Sequence, residues 1–297
     1  MDKLKVAKRI STVTNPPIIC IPLFLIICLT LSFDAAGFNF GKFLVLEAVS
    51  LVFASILPMA IIVFWAKKLN TDSDISNRSD RYIPLIVGIV SYFIGFLVCL
   101  VFKLDNFLTC LLLCYAVNTG VVLLFTTKWK ISVHTTGLSG PVGALILLLG
   151  PFGAIFGLIY PVLIWSRVLL KKHTLSQAIS GGVQGFFLTV IEMYLYMNIL
   201  NLPVANLVSL YDSILYILAI ILTPVFLGLL SYVKTSGPFK NFVVGEILML
   251  VWFYFLTPAG VFVIFILTTL TSILISRYAG DDFIWYKIIS RQPFDTL

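Results

Sequence analysis

Apolar residues run along this chain in long unbroken stretches rather than in amphipathic stripes. Nine such stretches fall at about 16–33, 45–66, 83–102, 106–127, 137–150, 152–170, 175–199, 211–233 and 242–276. Most have roughly 18 or more residues, enough for an α-helix to cross a hydrocarbon core of about 30 Å. None alternates apolar with polar positions, as a membrane β-barrel strand must. The last stretch breaks naturally at Thr257-Pro258-Ala259-Gly260, because proline and glycine interrupt helices. Divided there, it brings the total to ten. The fifth stretch is short and glycine-rich, and Gly150-Pro151 turns it into the sixth. The pattern predicts an all-α fold: a polytopic transmembrane helical bundle of about nine to ten spans.

Composition excludes the soluble alternative. The chain is 60% hydrophobic and 11% charged over 297 residues. The five cysteines (Cys20, Cys28, Cys99, Cys110 and Cys114) all lie inside apolar runs and read as small core residues, not as a disulfide framework or a metal site. The basic N-terminus followed by an apolar run from about residue 15 reads as a first membrane helix, since the run is long and lacks a small-residue cleavage site.

The net charge of +7 reflects topology rather than nucleic acid. Walking the spans alternately across the bilayer places segments 1–15, 67–82, 128–136, 166–174, 234–241 and 277–297 on one face. That face collects 18 of the 20 basic residues, and only Lys42 and Lys103 fall on the other. Cytoplasmic loops carry the excess of Lys and Arg, so the first face is expected to be cytoplasmic. With the three segments that hold candidate chemistry set aside, nine basic residues still face two.

Those three segments carry the polar constellations. The two histidines are the only ones in the chain. Each sits near a hydroxyl and a cation: Lys130-Ile-Ser132-Val-His134, and Ser166-Arg167 followed after five residues by His173. Two imidazoles among cations suit metal-free phosphoryl transfer, in which one ring attacks phosphorus and the other protonates the leaving oxygen. The third segment, 67–82, supplies Lys68, Arg78 and Arg81, with Pro84 following.

The second and third constellations resemble those of the type-2 phosphatidic acid phosphatase superfamily. That family carries Lys-x6-Arg-Pro, then Pro-Ser-Gly-His, then Ser-Arg-x5-His-x3-Asp. Ser132-Val133-His134 keeps the Ser-x-His spacing, and Ser166-Arg167-x5-His173 keeps the third spacing; Gly181 and Gly182 follow behind it. The first segment offers Lys, Arg and a nearby Pro without the family spacing, as in a divergent branch. The resemblance covers about residues 45–199. It implies a six-helix phosphatase-like core within residues 1–204, with 205–297 as accessory helices. It also implies His173 as nucleophile, forming a phosphohistidine, and His134 as general acid. Arg167, Ser132 and some of Lys68, Arg78, Arg81 and Lys130 would bind phosphate oxygens. Where the family has an Asp four residues after the nucleophile, this chain has Gln177, which can accept a hydrogen bond from the ring but brings no charge. The implied activity is hydrolysis of a lipid phosphate or diphosphate, isoprenyl or glycerolipid, at the cytoplasmic surface of the cell membrane. Its tail would enter between helices near the glycine- and proline-rich stretch 137–161. No metal or other cofactor is required, the partners are the lipid substrate and the bilayer, and no nucleic acid is involved.

Blander readings stand beside this one. Lys171 and Lys172 read as headgroup anchors, and Asp72, Asp74 and Asp80 as a solvated loop paired with Arg78 and Arg81. Alternatively, Asp72 and Asp74 would hold a metal-bound prenyl diphosphate, as in prenyltransferases of the ubiquinone-biosynthesis type, though a second carboxylate cluster near 190–215 is missing from the sequence. A non-enzymatic transporter would instead use the intramembrane Glu192 and Glu246, without any evident repeat between halves.

Overall fold

The computed structural model describes residues 3–70, 75, 77–204 and 207. The expected spans at 211–233 and 242–276 lie outside them, as do Asp72, Asp74 and Glu246. The described residues form helices α1 (Lys3–Val13), α2 (Pro16–Leu31), α3 (Phe40–Ser50), α4 (Leu57–Lys68), α5 (Tyr82–Val101), α6 (Asn106–Thr126), α7 (Val133–Leu149), α8 (Pro151–Ala154), α9 (Ile159–Leu169) and α10 (Leu175–Ile199). A two-residue hairpin pairs Phe33–Asp34 with Gly37–Phe38 between α2 and α3. The candidate site described below lies within one compact unit, residues 1–148 and 159–207.

Among the described residues, five helices are long and apolar enough to cross a membrane: Phe40–Lys68, Ser79–Val101, Asn106–Thr126, Phe152–Leu169 and Leu175–Ile199. The pair α1–α2 makes a sixth if its 59° bend is counted as one span. The chain is thus a multi-pass helical membrane protein. Two expected elements differ in detail, and one helix is added. The second span starts at Phe40, and a π-helical segment, Leu51–Ile56, joins α3 to α4 just ahead of Pro58, which has no N–H to offer the ladder. The fifth helix begins at Val133, so His134 sits in its first turn rather than in a preceding loop. Ahead of α2 stands α1, a helix that the apolar pattern does not announce.

The helix ends follow local chemistry. Pro16 and Pro17 open α2, where a missing N–H costs nothing. Asn39 caps α3, Asp105 caps α6 by accepting from Phe107 N at 3.0 Å, and Thr174 caps α10 in a capping box with Gln177. At the other ends, Asn70, Lys103, Lys171 and Asn201 all take the left-handed conformation two residues past a helix, closing it without glycine.

Interior packing rests on close backbone approach and a polar seam. A Cβ on Gly181 would stand 2.5 Å from the Ser132 carbonyl oxygen, and one on Gly185 would stand 2.6 Å from that of Thr136. Glycine at these two positions therefore lets α10 lie directly on the start of α7. Thr136 Oγ1 donates to Gly181 O at 2.9 Å, Gln184 Nε2 to Asn118 Oδ1 at 2.9 Å, and Asn118 Nδ2 to Thr189 Oγ1 at 3.0 Å. This chain of bonds ties α6, α7 and α10 together where the surroundings are otherwise apolar.

Candidate functional site

The Ser166–His173 stretch folds as a helix end and a tight reversal. Lys171 at φ 53° closes α9, with Lys172 N donating to Arg167 O at 3.1 Å and Lys171 N to Val168 O at 2.9 Å. The turn brings His173 back under its own helix, its N–H reaching the same Arg167 carbonyl at 3.4 Å. The spacing between Arg167 and His173 is therefore that of one capped helix end. Both side chains are buried, Arg167 completely.

The Ser132–His134 stretch meets this turn from the other side. Ser132 N donates to Gln177 O at 3.2 Å, and its Oγ accepts from Thr135 N at 3.4 Å as α7 begins. Lys130 O lies 3.2 Å from Nδ1 of His173. A carbonyl only accepts, so Nδ1 carries the proton and Nε2 keeps its lone pair. That Nε2 is buried and has no hydrogen-bond partner among the described residues. The expected orienting role of Gln177 is thus filled by the Lys130 carbonyl. The Gln177 side chain is committed elsewhere: its Oε1 accepts from Thr174 N at 3.1 Å in the capping box, three positions into the helix, and it faces its own N-cap rather than the ring.

Arg81 completes the cluster from the first segment. It precedes α5, is buried, and donates from Nε to Ile75 O at 2.8 Å. Lys68 and Arg78 behave differently. Both are exposed, and the Lys68 ammonium sits 5.0 Å from the centre of the Trp65 ring. Of the basic candidates, then, Arg81, Arg167 and Lys130 gather around the histidines, whereas Lys68 and Arg78 stay at the surface. Burial, then the charges of Arg81, Arg167 and Lys130, then His134, pull His173 down to about 2, so its ring is neutral. Helices α5, α7 and α10 begin within two residues of Arg81, His134 and His173, so the positive ends of their dipoles lie near these side chains.

His134 is buried, and its ring hydrogen-bonds to the backbone of Ser11, in α1. Arg167 Nη1 donates to the Ser11 hydroxyl, and Ser166 Oγ donates to Ala7 O at 2.7 Å. Motif reading misses Ser11 because it lies about 120 residues before the first histidine motif. The only hint in the sequence is Ala7 and Ser11 four apart in a stretch otherwise rich in lysine and arginine. Arg81 and His134 also line a cavity of about 110 Å³. Pro16, Pro84, Leu85 and Gly137 form its mainly apolar walls, and Tyr115, Asn118 and Thr189 stand among its polar lining groups.

Away from this cluster, Glu192 is buried in α10 beside Cys114. Among the described residues, no group of three or more His, Cys, Asp or Glu side chains is placed to hold a metal ion. Comparisons with protein families, with curated proteins and with solved structures find no match for the chain.

Proposed function

We propose that this protein is an integral membrane phosphatase that hydrolyses a lipid phosphate or diphosphate through a phosphohistidine. The observation that carries the reading is the neutral, buried His173, with Nε2 unengaged and Nδ1 held by a carbonyl, among two guanidiniums and a lysine. A neutral imidazole with a fixed tautomer is a nucleophile, and guanidinium forks match phosphate oxygens two at a time.

In the proposed step His173 Nε2 forms a bond to phosphorus as the bond from phosphorus to the leaving oxygen breaks. His134 delivers a proton to that oxygen. The arriving phosphate offsets the guanidinium charge, which allows His134 to hold this proton. Water then attacks the phosphohistidine, giving its proton back to His134 and releasing inorganic phosphate and neutral His173. Arg81 and Arg167 stabilise the charge on the equatorial oxygens, and the Ser132 hydroxyl, two residues before His134, is the further donor the spacing offers. The cavity next to Arg81 and His134 has room for the first few carbons of the alcohol, such as one isoprene unit. The remaining tail lies in the bilayer. The positive-inside bias puts the site at the cytoplasmic surface.

The test is phosphate release from a panel of isoprenyl and glycerolipid phosphates in excess chelator. We expect chelator-resistant activity, lost by more than a hundredfold in His173→Ala and Arg81→Ala and by less than threefold in Lys68→Ala. Activity that persists in His173→Ala would sink the mechanism. Activity abolished by chelator would favour aspartate-bound metal and a diphosphate substrate.

A further inference from the structure

The N-terminal helix α1 has two dissimilar faces. Lys5, Lys8 and Arg9 are exposed, whereas Ala7 and Ser11, four residues apart on one face, are buried. From the buried face Ala7 O accepts from Ser166, and Ser11 meets both halves of the candidate site. Its hydroxyl accepts from Arg167 Nη1, and its backbone hydrogen-bonds to the His134 ring. Arg167 and His134 lie on different helices, α9 and α7, and Ser11 is a single residue that touches both.

We propose that Ser11 is a positioning residue for this site. It fixes the plane of the Arg167 guanidinium and the tilt of the His134 ring relative to each other, so that phosphate oxygens and the leaving oxygen are met in one geometry. The inference rests on the phosphatase reading for its consequence in catalysis. The chemistry of the contact supports it. A guanidinium is a rigid planar fork, so anchoring one terminal nitrogen orients the other donors. A carboxylate at position 11 would also orient the fork, but it would neutralise the charge that an anion needs. A hydroxyl orients without neutralising. The backbone contact to His134 comes from the same residue, so a shift of α1 moves both groups together.

The experiment compares Ser11→Ala, Ser11→Thr and Ser11→Cys in the full chain in detergent or vesicles, alone and combined with Arg167→Ala. Ser11→Ala keeps the backbone contact to His134 and removes the hydroxyl that accepts from Arg167 Nη1. We expect kcat/KM to fall about tenfold to a hundredfold, a size in line with misplacing one binding group. Affinity for orthovanadate, a phosphoryl analogue, should weaken in parallel. Ser11→Thr should restore most of both, and Ser11→Cys, similar in size but a poor acceptor, should behave as Ser11→Ala. The double variant with Arg167→Ala should be no worse than Arg167→Ala alone, because both changes remove one coupled arrangement. Unchanged vanadate affinity in folded Ser11→Ala or Ser11→Cys overturns the proposal, as do losses that add to those of Arg167→Ala. A wild-type protein that binds vanadate in a Ser11-dependent way, yet releases phosphate from no lipid, would sink the phosphatase reading and leave the positioning role standing.

Discussion

Replacing Gly181 with alanine adds one methyl group where α10 rests on the start of α7. The new Cβ would stand 2.5 Å from Ser132 O, 3.2 Å from Thr136 Oγ1, and closer still to Thr135 Oγ1. Side-chain Cβ atoms keep about 3.0–3.4 Å even from tight neighbours, so the two helices must separate by about 0.5–0.9 Å. One of these close atoms, Ser132 O, is backbone and cannot swing away as a long side chain would. Overpacking of this kind costs about 1–3 kcal/mol. The separation also stretches Ser132 N to Gln177 O, now 3.2 Å, and Thr136 Oγ1 to Gly181 O, now 2.9 Å, each worth about 0.5–1.5 kcal/mol. Alanine returns about 1 kcal/mol of helix propensity. The net is a loss of about 1–5 kcal/mol, measured as unfolding free energy or thermal midpoint in detergent. A shift of this size at Ser132 and His134 should also cost about a hundredfold in phosphate release. The control is Gly120→Ala in α6, where nothing lies within 4 Å of the added Cβ and stability should hold or rise slightly. A Gly181→Ala protein as stable and as active as Gly120→Ala would refute the close contact of α7 and α10.

Two further outcomes follow from the same site. Lys171 closes α9 at φ 53°, a conformation that costs a side-chain-bearing residue about 1 kcal/mol more than glycine. Lys171→Gly should therefore raise stability by about that much with activity intact, and a loss of activity would assign the ammonium a chemical role. His173 is pulled down to about 2 in the folded protein from an ordinary value near 6.5. The unfolded chain thus binds a proton between these values that the native one refuses, and stability should be full above about pH 6.5 and fall as pH drops below it. His173→Gln should flatten that slope when unfolding is followed from pH 7 to 4; an unchanged slope would show that His173 does not contribute to it.

Much of this arrangement is legible in sequence because it depends on local rules. Apolar length marks α2, α5, α6 and α10 within a few residues. Counting spans puts the three polar segments on one expected face, and from them Arg81, Lys130, His134, Arg167 and His173 do come together. The cap at Thr174 is also written locally, yet it misleads. Gln177 four residues after His173 reads as a ring partner, whereas as third residue of a capping box it turns to its own N-cap, the nearer and already ordered donor. Lys68 and Arg78 carry the same charge as Arg81 but lie on exposed stretches of chain, and charge alone does not separate them.

By itself, then, the sequence determined a multi-pass helical membrane protein and the two histidine stretches, because hydrophobic length and local spacing act along the chain. Only the tertiary structure decided which carbonyl holds His173, which cations stand beside it, and that Ser11 of α1 joins Arg167 to His134. Those are contacts between residues up to about 150 positions apart, set by how closely helices pack. Glycine at 181 and 185 permits that packing without announcing what it will bring together.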